Sequence, residues 1–218
     1  MKKTEKTEKT EKIILASKSP RRQELLQLIT QQFTVLTADV DEEQICDTFL
    51  SQRDKFSNYD SLAGQMVQAL ASAKAQAVAE TLTPLADRII IAADTIVVLD
   101  EEVLGKPRDK KEAHDMLYRL SGREHQVFTG VHILSEEASE SFSSEAKVRF
   151  YPLNDFTRQC IDFYVDSGTS LDKAGAYGIQ DEGAFFVHSI TGNFFTVMGL
   201  PLAETARRLY KFAPEIYF

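Results

Sequence analysis

The sequence contains few cysteines and no long apolar segment. Only two cysteines occur among the 218 residues, Cys46 and Cys160, and they match neither a CxxC pair nor a zinc-binding pattern. We expect both to be reduced thiols, and we predict a cytoplasmic protein; nothing in the sequence supports a disulfide. No apolar run approaches the roughly 20 residues that a membrane-spanning helix needs. The beginning of the chain also lacks the apolar stretch of a signal peptide.

Positive charge is scarce as well. Lysine and arginine total 25 against 33 acidic residues, so the formal net charge is −8. This balance argues against bulk binding to nucleic acid or to an anionic membrane surface. An anionic substrate would need a local basic pocket and a metal cation. We predict a disordered charged arm over residues 1–12, where Lys-Thr-Glu occurs three times, and a single domain over residues 13–218.

The first apolar segment is followed by a turn that favours anion binding. Residues 13–16 predict a short buried strand, Ser19 suits the N-cap of the next helix, and Pro20 suits its first position. Free N–H groups and the positive end of the helix dipole would meet there. Arg21 and Arg22 in the first turn add two guanidinium groups, which match phosphate oxygens. The pattern therefore predicts a ligand that carries phosphate.

Strand and helix patterns alternate along the rest of the chain. Strands are predicted at 33–36, 88–98, 127–134 and 143–151, and helices begin near residues 61, 109, 154 and 201. A polar loop is predicted between about residue 44 and residue 59, and an exposed hairpin connection over 135–142. Residues 168–199, which are rich in glycine and aromatics, predict short strands and tight turns near a site. The alternation favours an α/β fold with a partly parallel sheet.

Asp94 interrupts the strongest candidate for a central strand. The apolar residues on either side predict a strand that is buried on both faces. A carboxylate in such a strand is costly unless it is paired, hydrogen-bonded or bound to a metal. We therefore expect Asp94 to be functional, with a structural ion pair as the alternative. Lys74 lies on the helix that begins near residue 61, and its local pattern alone favours a solvated lysine.

Seven motifs follow one another in order between residues 13 and 210. They are Leu15–Leu26, Ala93–Val97, Gly105–Arg108, Leu120–Gly122 with His125, Thr129–Val131, Lys173–Gln180 and Gly199–Leu202. Together they resemble the Maf family of nucleoside triphosphate pyrophosphatases. The form of residues 174–180, Ala-Gly-Ala-Tyr-Gly-Ile-Gln, resembles the branch of that family that cleaves dTTP and UTP.

The resemblance implies an α/β fold of the Maf and inosine triphosphatase type. Such a fold has an elongated mixed sheet flanked by helices, with two lobes around a central cleft. The implied reaction is hydrolysis of a pyrimidine nucleoside triphosphate to the monophosphate and pyrophosphate, which removes unwanted nucleotides from the pool. A divalent cation, Mg²⁺ or Mn²⁺, would assist, and the protein would be a homodimer.

The resemblance also implies roles for nine residues. The catalytic set is Asp94, Lys106, Lys74 and Glu42; the residues that bind substrate or select it are Arg21, Thr95, Gln180, Ser17 and Arg22; the metal ligands are Glu42 and Asp94. Asp94 is either a general base or a metal ligand at this point, or both. Glu42 lies between Asp41 and Glu43, so its register is open by one residue.

Gln180 offers a physical basis for base selection. Its amide has a donor and an acceptor, which complement the O4 and N3–H edge of thymine or uracil. A site built for that edge should reject cytosine, because its polar groups would be left unpaired. This argues against an inosine-triphosphate hydrolase of related fold.

Further predictions concern an alternative function, the histidines and the aromatic residues at 185–195. A second functional hypothesis is a nucleotide-binding regulator of cell division or septum formation without significant turnover. His125 is predicted to be structural, and His114, His132 and His188 to be exposed or satisfied. The aromatic residues at 185–195 are predicted to belong to the core.

Overall fold

The computed structural model describes residues 12–82 and 84–217. The strands are β1 Ile13–Leu15, β2 Phe33–Val35, β3 Ile89–Leu99, β4 Glu102–Leu104, β5 Glu124–Leu134, β6 Ser139–Phe150 and β7 Val187–Gly192. The helices are α1 Pro20–Gln27, α2 Glu42–Ser51, α3 Tyr59–Thr81, α4 Lys110–Leu120, α5 Asp155–Ser167, α6 Phe194–Met198 and α7 Leu202–Phe212. The charged arm predicted over residues 1–12 lies outside the described residues, except for Lys12.

All seven strands form one mixed sheet. The order is β2-β1-β3-β5-β6-β7, and β4 pairs with the end of β3. Strand β1 runs parallel to β2 and β3, whereas the pairs from β3 through β5 and β6 to β7 are antiparallel. The long strands β3, β5 and β6 have 11, 11 and 12 residues and give the sheet its length. This architecture confirms the predicted α/β fold with an elongated mixed sheet flanked by helices.

Strand β3 passes from one pair of hydrophobic clusters to another. Its first half packs with β1, α1, α7 and the end of α3, as Ile89 and Ile90 show. Its second half packs with α2, α4, α5 and the start of α3, as Val97 and Val98 show. Asp94 and Thr95 lie at the changeover, where no cluster covers them. The fold thus places its two polar strand residues between two packed regions.

The prediction of a polar loop before α3 is wrong, because this segment contains helix α2. The Asp41 side chain accepts a hydrogen bond from the backbone N–H of Gln44 at 2.9 Å and caps the helix. Ile45, Cys46 and Phe49 pack at helical spacing against the cluster that α3 forms. None of the α2 side chains is fully buried, so its apolar face is narrow and the polar residues dominate the sequence.

Two other boundaries differ from the predictions. Strand β6 begins at Ser139, so the hairpin connection is shorter than 135–142, and the Ser135 N–H closes it on the carbonyl of Ala138 at 2.8 Å. Within residues 168–199 the predicted tight turns are three 3₁₀ turns, Thr169–Asp172, Ala174–Ala176 and Glu182–Phe186, and only one short strand, β7, is present. Gly175 has φ +66°, and such left-handed positions favour turns over strands.

Two predictions of absence concern cysteines and membranes. Cys46 and Cys160 are both free thiols, as predicted. Within residues 12–82 and 84–217, no helix is both long enough and apolar enough to cross a bilayer.

Candidate active site

A cavity of about 610 Å³ lies beside the middle of β3. Its walls come from the β1–α1 turn, α2, α3, the segment after β4 and the segment around residue 178. The nine residues assigned to the site from sequence all line it: Ser17, Arg21, Arg22, Glu42, Lys74, Asp94, Thr95, Lys106 and Gln180. The fold therefore brings together residues that are up to 163 positions apart in the chain.

Lys74 bridges two carboxylates on the cavity wall. Its ammonium donates to Asp94 Oδ1 on β3 and lies 2.8 Å from Glu42 Oε1 at the start of α2. Asp94 is 8% exposed, so the ion pair compensates the burial of its charge. Within the described residues, no donor reaches Asp94 Oδ2. Of the three adjacent acidic residues, Glu42 lines the cavity, whereas Asp41 and Glu43 do not.

The charges around the cavity lower the pKa of Glu42 and raise the pKa of Cys46. Burial alone would raise the pKa of Glu42, but the hydrogen bond and charge of Lys74, with smaller contributions from Lys106 and Arg22, lower it overall. Burial and the charges of Asp94 and Glu42 raise the pKa of the Cys46 thiol to about 11. Cys46 therefore lines the cavity as a neutral thiol at neutral pH.

Arg22 fixes the turn between β1 and α1. Its Nε donates to the carbonyl of Gly199 at 2.8 Å, and its two terminal nitrogens donate to Ser17 Oγ at 3.3 Å and Thr95 Oγ1 at 2.9 Å. Burial lowers the pKa of Arg22, and the charge of Asp94 opposes this effect. Ser19 occupies the N-cap position of α1 as predicted, but its hydroxyl caps no N–H group of the helix, and its own N–H donates to Ser17 Oγ at 3.2 Å.

A chain of hydroxyl groups holds Thr95. The Thr95 and Thr129 hydroxyls are 2.9 Å apart, and Thr129 donates to the carbonyl of Thr196 at 2.7 Å. Since Thr129 uses its proton on Thr196, Thr95 must donate to Thr129. Thr95 also accepts from Arg22, so one lone pair of its oxygen remains for a ligand.

Three other predicted side chains are freer. Lys106 and Gln180 are exposed, and within the described part of the chain neither side chain forms a hydrogen bond or an ion pair of its own. Arg21 is 22% exposed at its side chain and lies 3.9 Å from Asp172 Oδ2, which is a loose pair. These groups can reorient toward a ligand at little cost, because few protein contacts would be lost.

Sequence reasoning missed a second buried lysine on the wall. Lys173 is 5% exposed and pairs with Asp172 Oδ1 at 2.7 Å and Asp181 Oδ2 at 3.4 Å. It also donates to the carbonyl of Thr169. The motif 173–180 contained the lysine, but nothing in that segment indicated its carboxylate partners.

The cavity collects positive charge in an acidic protein. Six cations and four carboxylates line it: Lys18, Arg21, Arg22, Lys74, Lys106 and Lys173 against Asp39, Glu42, Asp94 and Asp172. The excess is local, because the whole chain carries −8. Such a cavity attracts anions even though the protein as a whole repels them.

The donors present fit one mode of metal binding. No group of three or more histidine, cysteine or acidic side chains able to hold a metal occurs within the described residues. Mg²⁺ is nevertheless often held by one or two carboxylates together with substrate phosphates. Glu42 and Asp94 meet that requirement, since both reach the same ammonium group and face the same cavity.

The histidines take no part in this cavity. His125 is buried, its Nε2 is 2.8 Å from the Tyr177 hydroxyl, and burial lowers its pKa to about 3. The structural role predicted for His125 is therefore confirmed. His132 is predicted to be exposed or satisfied, and it is buried with one ring nitrogen satisfied: Nδ1 lies 2.6 Å from Ser141 Oγ, whereas Nε2 has no partner within the described residues.

The aromatic residues near the site are only partly in the core. Phe186 is buried, whereas Phe185 is 58% and Phe194 is 42% exposed. Phe195 is partly buried and packs against the cluster of β1, α1 and α7, so the prediction of a core role is confirmed for Phe186 and Phe195 and wrong for Phe185 and Phe194.

Comparison with known proteins gives a consistent family assignment. A family model described as "Maf-like protein" matches residues 12–212. The chain is similar to three bacterial proteins named dTTP/UTP pyrophosphatase. The one from Bacillus cytotoxicus is 44% identical over 92% of this chain and 95% of its own. That from Bacillus pumilus is 44% identical over 92% and 96%. That from Carboxydothermus hydrogenoformans is 45% identical over 91% and 97%. With matches that extend over nearly its whole length, the chain belongs to the Maf-like protein family.

Proposed function

We propose that this protein hydrolyses dTTP and UTP to the nucleoside monophosphate and pyrophosphate. The observation that carries the proposal is the Glu42–Lys74–Asp94 bridge in a cavity that also collects Arg21, Arg22 and Lys106. Its relatives named dTTP/UTP pyrophosphatase support the choice of substrate.

The triphosphate would lie along the cationic side of the cavity. Arg21 stands at the N-terminus of α1, where unpaired N–H groups and the helix dipole favour phosphate oxygens. Lys106 has no ion pair within the described residues to give up and can follow the outer phosphates. Arg22 acts mainly through others, because three of its five N–H donors hold Gly199, Ser17 and Thr95.

Asp94 is suited to accept a proton from the attacking water. Oδ1 is held by Lys74, which fixes the carboxylate, and Oδ2 faces no other donor among the described residues. The water oxygen would attack the α-phosphorus while its proton passes to Oδ2, and the bond to the bridging oxygen of pyrophosphate would break. Catalysis of this kind depends mostly on positioning and charge stabilisation.

A divalent cation would be held by Glu42 and Asp94 together with phosphate oxygens. When bound, it would neutralise phosphate charge and lower the pKa of a coordinated water. Lys74 already supplies one positive charge between these carboxylates, so the chain's own residues retain part of the electrostatic stabilisation.

Base selection is assigned to Gln180 and Thr95. Gln180 offers a donor and an acceptor at the mouth of the cavity, and Thr95 offers a single lone pair deeper in it. A pyrimidine with a carbonyl at C4 and a proton on N3 complements the amide of Gln180, whereas cytosine reverses this pattern.

The decisive experiment is a screen of nucleoside triphosphates with detection of pyrophosphate, with Mg²⁺, with Mn²⁺ and with chelator. The proposal expects pyrophosphate from dTTP and UTP in preference to CTP and the purine triphosphates. Binding without pyrophosphate release would favour the alternative of a nucleotide-binding regulator. The homodimer and the cytoplasmic location stay predictions; sedimentation equilibrium tests the first, and fractionation of cells tests the second.

A further inference from the structure

The side chain of Gln180 is not held by contacts of its own. It is exposed, and it forms no hydrogen bond within residues 12–82 and 84–217. Its position relative to the cavity is therefore set by the backbone on either side. That backbone forms a short loop, residues 178–183, between two glycines.

The loop is closed around one carboxylate. Asp181 Oδ1 accepts from the backbone N–H of Gly183 at 3.0 Å, and Oδ2 lies 3.4 Å from Lys173 Nζ. A methyl group on Gly178 would lie 2.4 Å from Asp181 Oδ2, and one on Gly183 would lie 2.4 Å from the carbonyl oxygen of Gly178. Only glycine permits this closure, because any side chain at either position would clash.

A fully buried hydroxyl ties this loop to helix α5. Tyr164 has no exposed surface, its hydroxyl donates to Asp181 Oδ1 at 2.9 Å, and it accepts from the backbone N–H of Gly178 at 3.0 Å. One oxygen atom thus binds both sides of the loop that carries Gln180. The ring itself is packed edge-on against Phe186, so the hydroxyl has little freedom to move.

Lys173 completes the network through three protein partners. Its ammonium donates to the Thr169 carbonyl and to Asp172 Oδ1, and it lies 3.4 Å from Asp181 Oδ2. Although Lys173 lines the cavity, these contacts hold its ammonium against the protein. Its charge compensates Asp181, whose side chain is only 19% exposed behind the loop.

We propose that Tyr164, Asp181 and Lys173 are positioning residues for base selection, because they fix the loop that presents Gln180. This inference rests on the proposed function and deepens it. The substrate class it concerns is the pyrimidine base with a carbonyl at C4. None of the three side chains touches the reacting phosphates in this scheme, so turnover of the preferred substrate depends on them only weakly.

The test compares kcat/KM for UTP and CTP in Tyr164→Phe. The substitution removes one oxygen and keeps the ring, and it leaves the Gly178 N–H without its acceptor. We expect the UTP preference to fall about tenfold or more, as a small displacement of a positioned group can cause. The loss should lie mostly in KM for UTP, with kcat changed less than about threefold, because the phosphate-binding groups are intact.

Thr205→Val is the matched control. Its hydroxyl is also fully buried and donates to a carbonyl, that of Pro201 at 2.9 Å, but it lies on α7 away from the loop. It should lower the melting temperature to a similar extent and leave the UTP preference unchanged. A second variant, Asp181→Asn, keeps the volume of the carboxylate and should reproduce the loss, which covers the case in which Tyr164→Phe does not fold.

A double variant separates a specific effect from a general one. In a Gln180→Ala background, Tyr164→Phe should change the UTP preference by less than about twofold, since nothing is left to position. The inference is overturned if Tyr164→Phe and Asp181→Asn keep the wild-type preference while Gln180→Ala loses it. It is also overturned if Tyr164→Phe lowers the UTP preference by the same factor in the wild type and in the Gln180→Ala background. If the unaltered protein releases no pyrophosphate or shows no preference, the proposed function fails first and this inference with it.

Discussion

Two lysines on the wall of one cavity are each placed between two carboxylates, yet their surroundings differ. Lys74 joins Glu42 and Asp94, uses two of its three donors, and is 17% exposed at its side chain. Lys173 joins Asp172 and Asp181, donates to the Thr169 carbonyl as a third partner, and is 5% exposed.

The carboxylates of the two centres differ in the same way. Asp94 keeps one oxygen without a donor among the described residues, whereas both oxygens of Asp181 are bound. A centre with spare donors and acceptors can take part in chemistry, and a saturated centre can only hold structure. Under the proposed function, the same pair of residue types would serve reaction at one place and positioning at the other.

The largest effect is expected at the unsaturated centre. Asp94→Asn keeps the shape of the side chain but removes the base, so kcat on dTTP should fall about a thousandfold. The hydrogen bond from Lys74 has an acceptor in the amide oxygen, so the fold should persist. Circular dichroism and pyrophosphate release check both points. Near-normal turnover in this variant would remove Asp94 from the mechanism and with it the contrast between the two centres.

A substitution in the saturated centre around Lys173 should lower the free energy of unfolding more than it lowers turnover. Lys173→Met leaves Asp181, whose side chain is only 19% exposed, without its cation, and removing one partner of a largely buried pair costs about 3 kcal/mol. The lower end of the usual range applies because Asp172 is 65% exposed at its side chain and can be solvated. Urea unfolding measures the loss.

Lys74→Met provides the comparison for that loss. It should also destabilise the protein, because Asp94 is only 8% exposed and would lose its cation, but it should lower turnover more than Lys173→Met does. If Lys173→Met were as stable as the wild type and lost binding of triphosphate, Lys173 would be a ligand and the contrast would fail.

The sequence predicts one of these centres better than the other for a physical reason. Asp94 stands out because a charge in a run of buried residues violates a local rule, and this signal needs no knowledge of the fold. Tyr164, Lys173 and Asp181 violate no local rule. Their link depends on how α5 meets a loop whose turns require glycine at 175, 178 and 183. No periodic pattern in the sequence predicts this contact between α5 and the loop.

The same distinction explains the errors in local structure. Long runs such as β3 and α3 were predicted because their apolar patterns are strong. The sequence does not predict helix α2, because its cap at Asp41 is one of several adjacent acidic residues and because its partly buried face is evident only where it packs against α3. Ser19 occupies the N-cap position, but its side chain makes no capping hydrogen bond, because the sequence pattern predicts the position of the residue and not the orientation of its hydroxyl.

A smaller effect on activity is expected at Gln180, the residue proposed to select the substrate base. Gln180→Ala should lower the preference for UTP over CTP roughly tenfold to a hundredfold, because a donor and an acceptor that reject cytosine are lost. Stability should hardly change, since the side chain is exposed and unpaired within the described residues. Competition assays with both triphosphates measure the preference directly. A variant that keeps the full preference would show that another group reads the base and that the saturated centre positions something else.

The smallest effect concerns the pH dependence of stability. Burial opposes ionisation of Glu42, but Lys74, with Lys106 and Arg22, lowers its pKa in the folded protein. A group whose pKa is lowered on folding stabilises the protein above its unfolded pKa, and this contribution is lost as the pH falls through the folded pKa. The wild type should therefore be more stable than Glu42→Gln at neutral pH, by no more than about 1 kcal/mol, because Glu42 is 46% exposed at its side chain. The difference in stability should vanish in acid, at a pH below the ordinary pKa range of a glutamate.

Asp172→Asn should behave alike, because Lys173 overcomes the effect of burial and lowers the pKa of Asp172 in the same way. Unfolding free energies measured across this pH range would contradict the ion-pair geometry at Lys74 if the advantage of the wild type grew as the pH fell.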